Sequence, residues 1–205
     1  MKLYAFQGAC SLGIHLLLNE VGATYDLIQL DARAGDLQKP EFKAINPKTK
    51  VPVLVLDNGE TLTEWPAIAS YIAAAHPDHH LLSGDPLTAA RTLEAVLYIN
   101  STLHVAGFAR IVRPMNFAPD AAHKDAVRAQ GKQIFADGFA LISATLGDKP
   151  YLMGDFSIAD AALFYVTYWN KALPKLDLPA NIDAHYDRMM SRPAVLKAMQ
   201  TEGLA

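Results

Sequence analysis

Lys50-Val51-Pro52-Val53-Leu54-Val55-Leu56-Asp57-Asn58-Gly59-Glu60-Thr61-Leu62-Thr63-Glu64 decides the fold. Val51 to Leu56 is a short run of β-branched and aliphatic residues, which predicts a buried strand. Asn58-Gly59 behind it is a strong hairpin signal, because both residues tolerate the positive φ of a two-residue type I′ turn. Thr61 to Thr63 then reads as the returning antiparallel strand. Ile68, Tyr71, Ile72 and Ala75 follow at helical spacing.

Upstream of this unit the chain alternates. Leu3 to Phe6 suits a buried strand, and Ile14, Leu17, Leu18 and Val21 recur at i, i+3, i+4, i+7 on a helix that Gly22 ends. Tyr25 to Leu30 predicts a second strand and Pro40 to Ile45 a short helix. The order is βαβαββα over residues 1–77. Residues 78–86, with Gly84 and Pro86 among polar neighbours, read as a linker.

From 87 to 205 no strand pattern is convincing. Thr88 to about Val112 is helical, with Leu93, Val96, Leu97, Asn100 and Leu103 on related faces, and Pro114 and Pro119 break it. His123 to Leu146 gives a second long helix. Ser157-Ile158-Ala159-Asp160 opens a third with a capping-box pattern, Asp standing where Glu or Gln is more usual. Ile182 to Met190 and Pro193 to Gln200 are two shorter helices. The expected fold class is thus α/β plus all-α: a small α/β domain followed by an all-helical one.

Composition narrows the function. Of 205 residues 51% are apolar, enough for a sizeable core, and a net charge of −3 without any Lys/Arg block argues against a nucleic-acid partner. No stretch approaches ~18 uninterrupted apolar residues, so no membrane span is expected. The N-terminus lacks the apolar region of a signal peptide, and there is one cysteine; a cytoplasmic, reducing setting is expected. No Walker, GxGxxG or zinc pattern occurs, and His79-His80, without partners at ligand spacing, reads as solvated linker rather than metal site.

That cysteine, Cys10, lies in Gln7-Gly8-Ala9-Cys10-Ser11, where a strand gives way to a helix. It has no partner for an intramolecular disulfide. Two readings stay open: a small buried hydrophobe, or a thiol whose anion the helix N-terminus favours. Ser11 reads first as the cap of that helix, with direct action of its hydroxyl on a substrate as the alternative.

Taken in order, Gly8-Ala9-Cys10-Ser11, Asn46-Pro47-Lys48-Thr49-Lys50-Val51-Pro52-Val53-Leu54, Leu62-Thr63-Glu64 and Ser157-Ile158-Ala159-Asp160-Ala161 resemble the glutathione S-transferase family. Cys10, together with Asn100 and His104 on the first long helix, is most similar to the bacterial beta class. Arg192-Pro193-Ala194-Val195 and Thr201-Glu202-Gly203-Leu204 fit that class too.

The resemblance implies a thioredoxin-like first domain with a cis peptide before Pro52. It also implies a homodimer that uses glutathione as co-substrate, with no metal, and an apolar electrophile as second substrate. Lys50, Val51, Pro52, Glu64, Trp65 and Asn100 are then expected on glutathione. Val51 would pair with the tripeptide backbone in the manner of an added strand, and Glu64 would face the γ-glutamyl amino group.

Trp65 departs from the small residue usual there, and its indole is expected to crowd the glutamyl end. Cys10, Ser11 and His104 are the expected catalytic residues. Val105 replaces a common lysine, with Arg110 or Arg113 as substitute cation. Phe108, Arg110, Tyr165 and Trp169, with Phe117, are expected to line the co-substrate pocket. Tyr4 is expected to pack in the sheet, and Asp160 to fix a buried helix start.

The implied reaction is attack by glutathione thiolate on an electrophilic carbon. The alternatives are glutathione-dependent thiol–disulfide exchange through Cys10, and a non-enzymatic module that binds a ligand or protein through the altered site.

Overall fold

The computed structural model describes residues 1–204. Its first elements are β1 (Lys2–Ala5), α1 (Ser11–Glu20), β2 (Asp26–Gln29), α2 (Pro40–Ile45), β3 (Val53–Val55), β4 (Thr61–Thr63) and α3 (Trp65–Ala75). The βαβαββα order is as expected. The sheet runs β2-β1-β3-β4, with β1 parallel to β2 and the other pairs antiparallel. Leu3 and Ala5, on one face of β1, are fully buried, which fixes that strand's register because a one-residue slip would turn them to the other face. Val53 and Leu54 are buried on opposite faces of β3. Tyr4 packs edge-on to Phe42.

The hairpin closes differently from the expected type I′ turn. Only Gly59 has positive φ there, at 86°. The Gly59 N–H donates to the Leu56 carbonyl at 3.0 Å, and the Leu56 N–H to the Glu60 carbonyl at 2.8 Å. Three residues therefore form the loop, a turn followed by a left-handed glycine. Asn58 serves through its side chain, whose Oδ1 accepts from the Glu60 N–H.

The helices that follow are α4 (Pro86–Tyr98), a π-helical segment (Ile99–Phe108) continuing into α5 (Ala109–Val112), then α6 (Lys124–Leu146), α7 (Ile158–Ala172), α8 (Ala180–Met190) and α9 (Pro193–Thr201). The chain divides into two compact units, 1–82 with 190–205 and 83–189. The last helix thus belongs with the α/β unit, although its sequence place put it in the helical domain. In that unit α9 lies along α1. His79 and His80 are exposed.

In the helical unit α6 lies close to the run 99–112 because glycines stand at the crossing. A Cβ on Gly131 would sit 2.7 Å from Arg110 Cβ, and one on Gly138 would sit 2.6 Å from Leu103 Cδ1. The Ser157–Asp160 capping box forms as the sequence predicts. Asp160 is fully buried and accepts from the Leu152 and Ser157 N–H groups, the Ser157 hydroxyl and His185 Nε2. The 27-residue run Pro86–Val112 is long and apolar enough to cross a membrane by length and composition, although the sequence has no unbroken apolar stretch of that length. Arg91, Glu94, Asn100 and His104 interrupt it, and its buried residues pack on α6 and α7.

Candidate active site

The loop between β1 and α1 carries the thiol. Cys10 is buried and occupies the N-cap position of α1 in a helical conformation, with no side-chain cap bond. Its Sγ donates to the Val51 carbonyl at 3.5 Å, so the loop before β3 and the start of α1 meet at the thiol. Ser11 is not the N-cap. It is fully buried, donates to the Phe6 carbonyl at 3.2 Å and accepts from the Phe6 N–H at 3.3 Å. Its hydroxyl braces the loop, while the Cys10 thiol, also buried, faces the Val51 carbonyl.

Two residues that the sequence does not place at the site, Glu202 and His15, hold this loop. Glu202, after α9, accepts from the Gly8 N–H at 2.8 Å through one carboxylate oxygen and pairs with His15 Nδ1 at 2.8 Å through the other. The two side chains are 0% and 1% exposed. His15 stacks edge-on to Tyr25, whose phenol is pushed up to about 12 by burial first and by the Glu202 charge second. The Thr201-Glu202-Gly203 motif was the available signal, but nothing local in it points to Gly8.

Val51 follows a loop shaped by Asn46, whose buried carboxamide donates to the Lys50 carbonyl at 2.8 Å and accepts from the Lys48 N–H at 3.1 Å. The Val51–Pro52 peptide is cis, as the resemblance implies, and Leu173–Pro174 is a second cis bond with no forewarning in the sequence. Lys50 is exposed. Lys48, also exposed, reaches Thr63 Oγ1 at 2.9 Å and the Glu64 carboxylate at 2.7 Å.

Glu64 sits at the N-cap of α3 with φ 71° and ψ 122°. A non-glycine residue there stores about 1–3 kcal/mol of strain, and such strain concentrates at functional sites. Its side chain is 62% exposed. The indole of Trp65 does not crowd that end. It turns inward, leaving the residue 3% exposed, and Nε1–H donates to the Cys10 carbonyl at 3.0 Å. Of Trp65 only the backbone is left to meet a ligand at the helix N-terminus, where N–H groups and the dipole suit a carboxylate.

The helical unit gathers the second expected set. On the π-helical segment, Asn100 Oδ1 accepts from the Tyr165 hydroxyl at 3.1 Å, and His104 Nδ1 lies 3.4 Å from that Tyr165 hydroxyl oxygen. His104 meets Trp169 edge-on at 4.8 Å, and Phe108 stacks on Trp169 at 4.4 Å. Isolated π segments recur at functional sites. Tyr165 is fully buried, so it supports this group rather than lining an open wall. Arg110 turns away from the group. Its guanidinium donates to the Ala106 carbonyl and lies 4.4 Å over the Phe117 ring.

Residues 8–75 match the family model for the glutathione S-transferase N-terminal domain. Over the full length of both chains the protein is 38% identical to glutathione S-transferase GstA of Escherichia coli O157:H7. It is 32% identical, again over both full lengths, to glutathione S-transferase GST-4.5 of Xanthomonas campestris pv. campestris. Among solved structures, the bacterial beta class glutathione S-transferase of Sphingomonas chungbukensis superposes with TM-score 0.85 at 34% identity, both chains covered completely. A Sulfitobacter glutathione transferase homologue with bound glutathione gives TM-score 0.87 at 31% identity, covering 100% of this chain and 98% of that one. Full-length identity at this level, with the cysteine-bearing loop, cis-proline and acidic helix cap in place, makes the chain a member of the glutathione S-transferase family.

Proposed function

We propose that this protein is a glutathione transferase that joins glutathione to apolar electrophiles. The observation that carries the reading is the presence of three groups in one unit: the Cys10 thiol on the Val51 carbonyl, and the exposed Glu64 carboxylate at the cap of α3. These groups match the three parts of a γ-glutamyl tripeptide thiol. Val51 would pair with its backbone, Glu64 would take the α-amino group, the N-terminus of α3 its carboxylate, and Cys10 would lie by its sulfur. The thiol gives its proton to solvent, and the thiolate electron pair forms a carbon–sulfur bond. The leaving group departs with the pair that held it. The protein's part is positioning and stabilising the anion.

Ser11 is proposed as a brace, because both hydrogen-bonding capacities of its hydroxyl serve Phe6. In the helical unit, Asn100, His104, Phe108 and Trp169 form a polar-tipped aromatic group proposed to receive the electrophile. A homodimer is supported by Leu97 and Val105, 54% and 55% exposed on the same helical run. A cytoplasmic location accords with the lone cysteine. Disulfide exchange and a non-catalytic binding role are not favoured, since the full-length relatives are named as transferases.

Calorimetric titration with glutathione and turnover of an aryl halide test the reading. Binding below millimolar concentration with glutathione-dependent halide release is expected. Absence of both sinks it. Cys10→Ala is expected to lower conjugation, and full conjugation in that variant would remove Cys10 from the mechanism.

A further inference from the structure

Trp65 joins the two ends of the candidate site. Its backbone begins at Glu64, the strained cap of α3, and its indole ends on Cys10, the cap of α1. The accepting Cys10 carbonyl also receives the Gly13 N–H at 3.1 Å, so the indole acts on the first turn of α1, where the thiol is mounted. Lys48 holds the other side of Glu64, through its carboxylate. A positive-φ glutamate persists only where its surroundings over-determine it. Here a buried, rigid side chain with two rotatable bonds sets the spacing.

We propose that Trp65 is a positioning residue that fixes the separation of the Glu64 carboxylate from the Cys10 thiol, and thereby selects thiols bearing a γ-glutamyl group over shorter ones. The proposal rests on the glutathione reading above. A ligand held at both ends gains from a fixed separation, because ordering the two subsites is already done before it binds. A ligand held at the thiol end alone gains nothing from it.

Trp65→Phe keeps most of the ring and removes the N–H. The test compares kcat/KM with an aryl halide for two thiols, glutathione and cysteinylglycine, which lacks the γ-glutamyl group. Glutathione is expected to lose about tenfold, the factor carried by one buried hydrogen bond, mainly in KM. Cysteinylglycine is expected to change by less than about twofold, so that the discrimination ratio falls. Benzothienylalanine at position 65, which has sulfur in place of the N–H and the shape of tryptophan, provides the variant with the core filled, and is expected to lower the ratio equally. Equal losses for both thiols, or an unchanged ratio in the benzothienyl variant, would overturn the proposal while leaving the transferase reading intact. A wild-type protein inactive with glutathione would overturn both.

Discussion

Replacing Glu202 by alanine removes a carboxylate that serves two distant partners. The His15 ring and the Glu202 side chain are almost wholly excluded from solvent, while Gly8 is only partly buried. Breaking one side of a buried pair costs about 3–5 kcal/mol. Water can reach the Gly8 N–H and recover part of that, so the lower end, about 3 kcal/mol, is expected. For a chain of this size each kcal/mol moves the midpoint by about 2–4 °C, giving a fall of roughly 6–12 °C by calorimetry.

Glu202→Gln separates acceptor from charge. Its carbonyl can still accept from Gly8, and its amide can donate to His15 Nδ1 in the ring tautomer that leaves that nitrogen as acceptor, for a loss of about 1 kcal/mol. Gly8 is two residues from Cys10, so the alanine variant is also expected to raise the KM for glutathione. An alanine variant melting within about 2 °C of wild type, or a glutamine variant falling as far as the alanine one, would refute the assignment of Glu202 as the clamp of the thiol-bearing loop.

Two other expectations follow from titratable groups, one half-buried and one fully buried. The Tyr25 phenol, raised to about 12 chiefly by burial, keeps its proton in the folded state while the unfolded chain releases it near pH 10. Its stabilisation is therefore complete below pH 10 and lost from pH 10 to 12, by about 1–2 kcal/mol once water's screening of this half-buried phenol is allowed for. Tyr25→Phe should flatten that limb of a urea-midpoint profile, and an unaltered limb would contradict the account. Asp160→Ala should cost about 3–5 kcal/mol because four donors lose one buried acceptor. Its urea midpoint should fall while specific activity of the folded fraction stays near wild type, and a selective loss of activity would mean that Asp160 has a chemical role.

Much of the architecture was legible along the chain. The alternation of apolar runs with Gly22, Asn58-Gly59 and the prolines after Val112 sets strand and helix order, since those signals act between near neighbours. The Ser157–Asp160 box was legible for the same reason. So was the thiol at a helix start, because Cys10 is alone between a strand and a helical stripe. The hairpin shows the limit of local reading: Asn58-Gly59 places the turn, while strand pairing selects a three-residue loop in which Gly59 alone takes positive φ.

The rest of the site required packing. Trp65 beside Glu64 reads as an obstruction at the glutamyl end, yet the space between α1 and α3 draws the indole inward onto Cys10, 55 positions earlier. Ser11 reads as a cap, yet the bend of the loop gives its hydroxyl to Phe6. Glu202 reads as part of a C-terminal motif, yet the packing of α9 along α1 brings it to Gly8, 194 positions away. By itself the sequence determined which elements form and where the thiol stands, because propensity and periodicity are short-range. Only the tertiary structure decided which way Trp65 turns and what holds the Cys10 loop, because hydrogen bonds between remote residues exist only after helices and sheet have buried their apolar faces together.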